Sequence, residues 1–304
     1  MNAPEFPKNL KWFNSNPLTI SELKGKAMLI DFWTYSCVNC IRTLPHLKDW
    51  HEKYQDKGLV IIGVHTPEFE FEKQPENVEK AIKDFEIKYP VVMDNDYLIW
   101  NLYANHWWPR KFLVNKDGKI VYDHIGEGGY KETEEEIQKA LKEIDPNIKL
   151  PSVAEAIEGK GGICYPTTPE TYLGSDRGFP GKVWNFHGDW KIYPQYIQHT
   201  KNTKDFSEYI SLNYEASEVN LVLGTSDGKP AKIKIVSHSD PPTGGEESMR
   251  DPSVTPQDDG EIIIVDRYKM YNLLKLDKHS SGELKIYSNS DNLQAYAFTF
   301  GGCE

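Results

Sequence analysis

The chain has 304 residues, of which 38% are hydrophobic and 12% aromatic, so it can pack as a globular protein and is too long for one comfortable core. Its net charge of −11 argues against a nucleic-acid partner, because phosphates require a basic surface. No apolar run approaches the roughly 20 residues needed to cross a bilayer, and the first residues contain no hydrophobic export signal. These properties favour two globular domains.

Strands alternate with helices in the first half of the chain. After a hairpin-like lead-in over about Asn9–Leu23, the predicted elements are strand Met28–Trp33, helix Val38–Lys57, strand Leu59–Val64, helix Pro75–Phe85, strand Val91–Met93, a hairpin of Phe112–Val114 with Lys119–Tyr122, and helix Lys131–Ile144. This order predicts parallel pairing with right-handed crossovers, followed by one antiparallel hairpin. The first half is therefore predicted to be an α/β domain.

The first predicted helix begins with Cys37 and Cys40, directly after a buried strand. At a helix N-terminus the unpaired backbone N–H groups and the helix dipole stabilise a thiolate, so we expect Cys37 to be the nucleophile. Cys40, one turn further along, is then placed to resolve the mixed disulfide. The pair predicts a thiol–disulfide oxidoreductase whose redox centre is the Cys37–Cys40 disulfide, with no separate cofactor.

The same cysteine spacing occurs in zinc half-sites, which need a second pair of ligands at short spacing. Cys164 and Cys303 are far away in sequence, whereas His46 and His51, five residues apart on a helix, point to different faces. We therefore predict no metal site.

The helical pattern stops near Asp145, and glycine accumulates over Glu158–Gly162. Beyond this point the apolar residues repeat with a period of about two. Strands are predicted at Leu221–Leu223, Ala231–Val236, Glu261–Val265, Glu283–Tyr287 and Gln294–Phe300. We predict an all-β sandwich of jelly-roll type, with residues 1–147 as the α/β domain, 148–165 as the linker and 166–304 as the sandwich.

Several motifs resemble known families. The strand Asp31-Phe32-Trp33 with the following cysteine pair resembles the active-site strand and helix of the thioredoxin superfamily, and Trp108–Gly118 is similar to a segment of its TlpA/ResA-like branch. Further likeness to the soluble C-terminal region of DipZ-type proteins, covering nearly the whole chain, lies in Gly63–Phe71, Gly126–Tyr130, Thr168–Gly174 and Ala295–Gly301. DipZ-type proteins usually also carry a membrane electron-transfer domain, which these 304 residues do not contain.

The resemblance implies roles for two residues beside the dithiol. Asp31 would lie behind Cys40 and exchange a proton with it; burial of its carboxyl group should raise its pKa, the alternative being an acid satisfied by backbone groups at a strand edge. Pro109 would be cis and would line the groove that receives the substrate.

Other residues are expected near the groove or the dithiol. Trp33, Tyr35 and Trp108 are candidate groove residues. Glu68 and Glu127 either tune the dithiol, as acidic residues do in related reductases, or are solvated loop carboxylates.

The resemblance also implies partners. We expect protein disulfide or dithiol substrates, a membrane electron-transfer protein of CcdA/DsbD type as a possible donor, and a location outside the cytoplasm, periplasmic or at the cell surface, with a cytosolic location as the alternative. The direction of electron flow depends on the reduction potential, which Val38 and Asn39 do not fix.

The second domain resembles carbohydrate-binding modules. Trp184, Trp190, Tyr193 and Tyr196 either stack on a glycan or form the core. For Cys164 and Cys303, a structural disulfide and two unpaired thiols are both open.

Two other functions compete with the oxidoreductase. A thiol peroxidase of AhpC/TSA type would explain Thr34, three residues before Cys37, but Ile30 stands where that site expects a proline. A glycan- or protein-binding module with a vestigial dithiol is the non-enzymatic alternative.

Overall fold

The computed structural model describes residues 1–153, 164–239 and 260–302. The chain divides into two compact units, Met1–Lys160 and Gly161–Glu304. Most of the expected linker, namely residues 154–163, lies outside the described residues, so the predicted domain limits stay a prediction. Within the described ranges, no helix combines the length and apolar character needed to span a membrane.

In residues 1–153, the N-terminal unit consists of a six-stranded sheet and four α-helices. Its elements are β1 (Trp12–Phe13), β2 (Ala27–Trp33), α1 (Val38–Tyr54), β3 (Leu59–His65), α2 (Pro75–Asp84), β4 (Val91–Met93), α3 (Leu98–Leu102), β5 (Arg110–Val114), β6 (Ile120–Ile125) and α4 (Tyr130–Ile144). The strand order is β1-β4-β3-β2-β5-β6. Strands β2, β3 and β4 pair in parallel, and the other pairs are antiparallel. This is the thioredoxin-like α/β fold that the resemblance implies.

Strand β2 lies at the centre of this sheet, and all seven of its residues are buried. Its side chains alternate between two faces. Met28, Ile30 and Phe32 pack in one apolar cluster with Phe112 of the neighbouring strand β5. The alternation therefore turns Asp31 to the opposite face.

Two details differ from the sequence prediction. The lead-in is not a hairpin, because β1 pairs with the distant strand β4. Helix α3 and two short 3-10 helices, Gln55–Lys57 and Glu70–Lys73, were not predicted, since elements of three to five residues show no usable period.

The C-terminal unit is entirely β within its described residues. Its strands are β7 (Thr171–Tyr172), β8 (Trp184–His187), β9 (Trp190–Ile192), β10 (Ile197–His199), β11 (Glu208–Thr225), β12 (Ala231–Ser239), β13 (Glu261–Val265), β14 (Lys269–Ser288) and β15 (Leu293–Gly301). The main path runs β13-β12-β14-β11-β15-β10-β9, with β7 on β15 and β8 on β11. All these pairs are antiparallel, which confirms the predicted all-β class.

Two long strands organise this unit. Strand β11 pairs with β14, β15 and β8, and register shifts interrupt its pairing near Ala216 and Val219. Such irregularities bend a strand, so one strand can take part in differently oriented pairings. The five strands predicted from sequence are confirmed, whereas the jelly-roll arrangement stays a prediction.

Candidate active site

The two cysteines occupy the first turn of α1. Cys37 is the N-cap residue with an extended backbone (φ −80°, ψ 118°), and its Sγ accepts a hydrogen bond from the Cys40 backbone N–H at 3.2 Å. Both side chains are free thiols; Cys37 is partly exposed, whereas Cys40 is 1% exposed. A partner disulfide can therefore reach Cys37 but not Cys40.

Asp31 is buried in β2, with 1% of its surface exposed. Burial raises the pKa of Asp31 to about 7, against the opposing effect of the Lys111 charge. Within the described part of the chain, the Asp31 Oδ1 atom has no hydrogen-bond partner. Burial also raises the pKa of Cys40, and the charges of Cys37 and Asp31 add to that effect. Because burial raises the pKa of Asp31, and the charge of Asp31 raises the pKa of Cys40, Asp31 is suited to hold the proton that Cys40 loses.

Lys111 is a residue of this site that the sequence analysis missed. It stands opposite Asp31 in the antiparallel pairing of β5 with β2, and it is fully buried. Its ammonium group donates a hydrogen bond to the Gly126 carbonyl oxygen at 3.3 Å. Burial lowers the pKa of Lys111, whereas the charges of Asp31, Cys40 and Glu127 raise it. In the sequence Lys111 directly precedes the predicted strand Phe112–Val114, and its contact with Asp31 depends on strand register, which the sequence does not show.

The expected groove residues have different environments. The Trp108–Pro109 peptide bond is cis, and Pro109 is buried. Trp108 is partly exposed, and its indole N–H donates a hydrogen bond to the Thr66 carbonyl oxygen at 3.1 Å. Trp33 and Tyr35 are only 0% and 3% exposed, because they pack inside the unit. Neither ring therefore lines an open groove, and Trp108 alone of the three aromatic candidates keeps that predicted role.

The two acids expected to tune the dithiol differ in how far they are buried. Glu127 is exposed and lies 3.6 Å from the Arg42 guanidinium, whereas Glu68 is partly buried. Near Glu68 in the chain, Glu72 is a fully buried acid that the sequence analysis missed. Its Oε1 accepts a hydrogen bond from the Ser36 hydroxyl at 2.6 Å, and burial raises its pKa to about 7. Nothing in the sequence distinguishes Glu72 from its acidic neighbours, because a 3-10 turn of four residues has no periodic pattern.

The aromatic residues proposed to bind a glycan fall into two groups. Trp184 and Trp190 are 3% and 8% exposed and belong to the hydrophobic core of the C-terminal unit, so they are not available for stacking on a sugar. Tyr193 and Tyr196 are partly exposed, and their rings stack with centroids 4.8 Å apart. Of these four aromatic residues, only Tyr193 and Tyr196 remain candidates for contact with a glycan.

Cys164 does not belong to the dithiol site. Cys164 takes part in a disulfide, and its partner is neither Cys37 nor Cys40, since both are free thiols. Cys303 lies outside the described residues. Across residues 1–153, 164–239 and 260–302, no three or more His, Cys, Asp or Glu side chains are grouped to hold a metal ion.

Comparisons with known proteins match both units. The Redoxin family profile matches residues 2–141, and the profile described as thioredoxin like C-terminal domain matches residues 178–301. Protein DipZ of Mycobacterium tuberculosis is 36% identical over 275 residues, covering 79% of this chain and 38% of DipZ. The chain thus spans well under half of that relative's length.

Two further matches each cover less than half of this chain. The thiol-disulfide oxidoreductase ResA of Bacillus cereus is 32% identical over 129 residues, covering 42% of this chain and 69% of ResA. Among solved structures, the solution structure of a thioredoxin-like protein in the oxidized form is 28% identical, has a TM-score of 0.43, and covers 47% of this chain and 95% of that chain.

Proposed function

Because this chain belongs to the thioredoxin-like thiol-disulfide oxidoreductases, we propose that it exchanges disulfides with partner proteins through Cys37 and Cys40. The observation that carries this proposal is the difference in exposure between the two thiols: Cys37 is partly exposed, and Cys40 is 1% exposed. A partner disulfide therefore meets the Cys37 sulfur first.

In the first step, the Cys37 thiolate attacks a partner disulfide. A bond forms between the Cys37 Sγ and one partner sulfur, while the partner's own S–S bond breaks and its other sulfur leaves as a thiolate. The helix N-terminus favours the anionic sulfur, and the Cys40 N–H, 3.2 Å from the Cys37 Sγ, donates a hydrogen bond to it.

In the second step, Cys40 transfers its proton to Asp31 and attacks the Cys37 Sγ. The Cys37–Cys40 disulfide forms, the mixed disulfide breaks, and the second partner sulfur leaves as a thiolate. The partner has then gained two electrons, which the dithiol has lost. The raised pKa of Asp31, about 7, suits it to accept this proton at neutral pH. Lys111 compensates the buried charge of the ionised carboxylate.

The partly exposed Trp108 lines the groove that receives the partner's backbone, and the buried cis-Pro109 follows it directly in the chain. The two predicted tuning acids act indirectly. The charge of Glu127 raises the pKa of Lys111, and the charge of Glu68 raises the pKa of Glu72. Both effects reach the dithiol through a buried charged neighbour.

Catalysis needs no cofactor besides the Cys37–Cys40 disulfide, but the oxidised pair needs a dithiol donor to return to its reduced form. The resemblance to DipZ-type proteins, which carry a membrane electron-transfer domain, supports a donor of CcdA/DsbD type. It also supports a location outside the cytoplasm, periplasmic or at the cell surface.

We further propose that the predicted jelly-roll domain, residues 166–304, selects the partner, and that residues 1–147 carry the redox chemistry. The partly exposed Tyr193–Tyr196 pair supports a glycan contact on the C-terminal unit, because stacked aromatic rings offer an apolar face beside polar hydroxyls.

The variant Cys40→Ser tests this function. It should accumulate a stable mixed disulfide on Cys37, which mass spectrometry of the non-reduced protein detects, because the resolving thiol is absent. The variant Cys37→Ser should form none. A slow alkylating reagent should label Cys37 before Cys40 in the reduced wild type.

Other outcomes would favour the alternatives. Fast oxidation of Cys37 by hydrogen peroxide, with slow disulfide exchange, would favour the AhpC/TSA-type peroxidase. No mixed disulfide with any partner disulfide would favour a binding module with a vestigial dithiol. A measured reduction potential would fix the direction of electron flow.

A further inference from the structure

Three consecutive residues that lead into the nucleophile are each held by the segment His65–Glu72. The Thr34 hydroxyl lies 3.4 Å from the His65 Nε2 atom, and the Tyr35 ring stacks on the His65 ring with centroids 5.6 Å apart. The Ser36 hydroxyl donates a hydrogen bond to Glu72 at 2.6 Å. The loop before Cys37 is therefore fixed by contacts outside the dithiol itself.

Glu72 is the centre of this arrangement. It is fully buried, and its Oε2 accepts hydrogen bonds from the backbone N–H groups of Glu68 at 2.5 Å and Phe69 at 2.9 Å. Its Oε1 faces the Ser36 hydroxyl. One carboxyl group thus joins the end of the loop after β3 to the residue that directly precedes Cys37.

The other titratable groups around this cluster are His65, Glu68 and Glu70, and none of them makes the contact with Ser36 that Glu72 makes. Burial lowers the pKa of His65 to about 3, so its ring is neutral at physiological pH. The charge of Glu68 raises the pKa of Glu72, and the Ser36 hydrogen bond opposes that effect. Glu70 is exposed and pairs with Lys73 at 2.6 Å.

We propose that Glu72, through Ser36, is a positioning residue for the nucleophile. By fixing Ser36 it fixes the direction of the Cys37 Sγ, which must point at the Cys40 N–H to receive the 3.2 Å hydrogen bond. This inference rests on the proposed role of Cys37. The side chain at position 72 must accept hydrogen bonds from two backbone N–H groups and place a polar atom against Ser36. A carboxyl or carboxamide group does both, and an apolar side chain does neither.

Four variants test the proposal through the rate at which a small reagent alkylates Cys37, measured over a range of pH. Glu72→Leu and Ser36→Ala should each slow alkylation at neutral pH by about tenfold, as expected for the loss of a buried hydrogen bond to a charged group. Their half-maximal rate should move to higher pH, because the thiolate loses its donor. Glu72→Gln should stay close to the wild type. Glu70→Leu, on the same turn, is the matched control and should change nothing.

A double-mutant cycle sharpens the test. If Glu72 acts through Ser36, Glu72→Leu with Ser36→Ala should be no slower than the worse single variant. Additive losses would overturn the proposal. A lower melting temperature with an unchanged pH profile would also overturn it, because that result describes a merely structural residue. If Glu72→Leu does not fold, Ser36→Ala still tests the proposal, since it removes a single oxygen atom. If the alkylation of Cys37 in Ser36→Ala then follows the wild-type pH profile, the inference is wrong.

The order in which the two cysteines of the wild type are labelled distinguishes failure of the Glu72 proposal from failure of the proposed function. If the reagent labels Cys40 first in the wild type, the role of Cys37 is wrong and the variants carry no information about positioning. If Cys37 is labelled first and every variant matches the wild type, only the role of Glu72 is wrong.

Discussion

One buried polar side chain in each unit shows a different way of burying a polar group: Asp31 in the N-terminal unit and His199 in the C-terminal unit. In the N-terminal unit, Asp31 is buried with a carboxyl oxygen that has no hydrogen-bond partner among the described residues, and burial raises its pKa to about 7. In the C-terminal unit, the fully buried His199 has an acceptor at each ring nitrogen: the Ser290 carbonyl oxygen at 3.0 Å and the Glu208 carboxylate at 2.9 Å.

The comparison separates a buried polar group that adds to stability, His199, from one that remains reactive, Asp31. A satisfied buried pair stabilises one structure and has little tendency to exchange protons. An unsatisfied buried acid beside a thiol lowers stability and keeps a proton-transfer group near neutral pH. On this ground alone, chemistry is expected in the N-terminal unit, and four predictions test that contrast.

The largest effect is expected at Asp31. The variant Asp31→Asn should slow resolution of the mixed disulfide by about 100-fold at neutral pH, because Cys40 loses its proton acceptor. Single-turnover kinetics of partner release measure this step. The exposed carboxylate of Asp96 provides the control, and Asp96→Asn should be unaffected. Equal rates for both variants would remove the proposed role of Asp31.

The next effect concerns Lys111. The variant Lys111→Met leaves Asp31 buried without its neighbouring cation, so we expect a loss of about 3 kcal/mol in the free energy of unfolding. It should also raise the pKa of Asp31, moving the rise in resolution rate to higher pH. Denaturant titration and single-turnover kinetics measure the two effects. The double variant with Asp31→Asn should recover most of the stability, and failure to do so would mean that Lys111 does not act through Asp31.

In the C-terminal unit, His199→Gln should lower the free energy of unfolding by about 2 kcal/mol, because it breaks a satisfied buried pair. The rate at which Cys37 reacts should stay the same, since no chemistry is expected there. His187 is exposed, so His187→Gln is the control. A slower reaction at Cys37 in His199→Gln would break the contrast between the units.

The smallest effect is in the pH dependence of stability. The pKa of Asp31 is raised from 3.8 to about 7, so between these values the folded N-terminal unit binds a proton that the unfolded chain has lost, and its stability falls as pH rises. Burial raises the pKa of Glu208, but hydrogen bonds from the Asp189 backbone and His199 outweigh it, and the net shift is downward. The stability that Glu208 contributes is fully present above its ordinary pKa, and it is lost as pH falls through its lowered pKa in the folded protein. Hydrogen exchange over a range of pH, compared between the wild type and Asp31→Asn in the N-terminal unit and between the wild type and Glu208→Gln in the C-terminal unit, measures the two contributions. Contributions of equal sign would contradict the prediction.

Sequence reasoning succeeded where patterns are long or local. The alternation of strands and helices predicted the N-terminal sheet, and the position of Cys37 directly after a buried strand predicted its place at the helix N-terminus. The period of two predicted segments of the five strands β11 to β15, whereas the short strands β7 to β10, of two to four residues, were not predicted.

It failed where the information lies in pairings across the chain. Lys111 acquires its meaning from its register with Asp31, and Glu72 from its contact with Ser36. Trp33 was expected in a groove because it stands beside the dithiol in sequence, but β2 is buried along its whole length. Burial of a particular side chain depends on what covers it, and a single sequence does not state that.

The pairing of Asp31 with Lys111 has a consequence for how the protein becomes active during folding. The dithiol and its acid are close together in the chain, and the parallel partner of β2 is β3, whose paired residues lie 32 positions further along. The cation and the Gly126 carbonyl oxygen that receives its hydrogen bond arrive only with the β5–β6 hairpin. Contacts of such long sequence separation form late because loop closure must precede them. Competence in proton transfer should therefore appear as one of the last events of folding, after the cysteines are already in place.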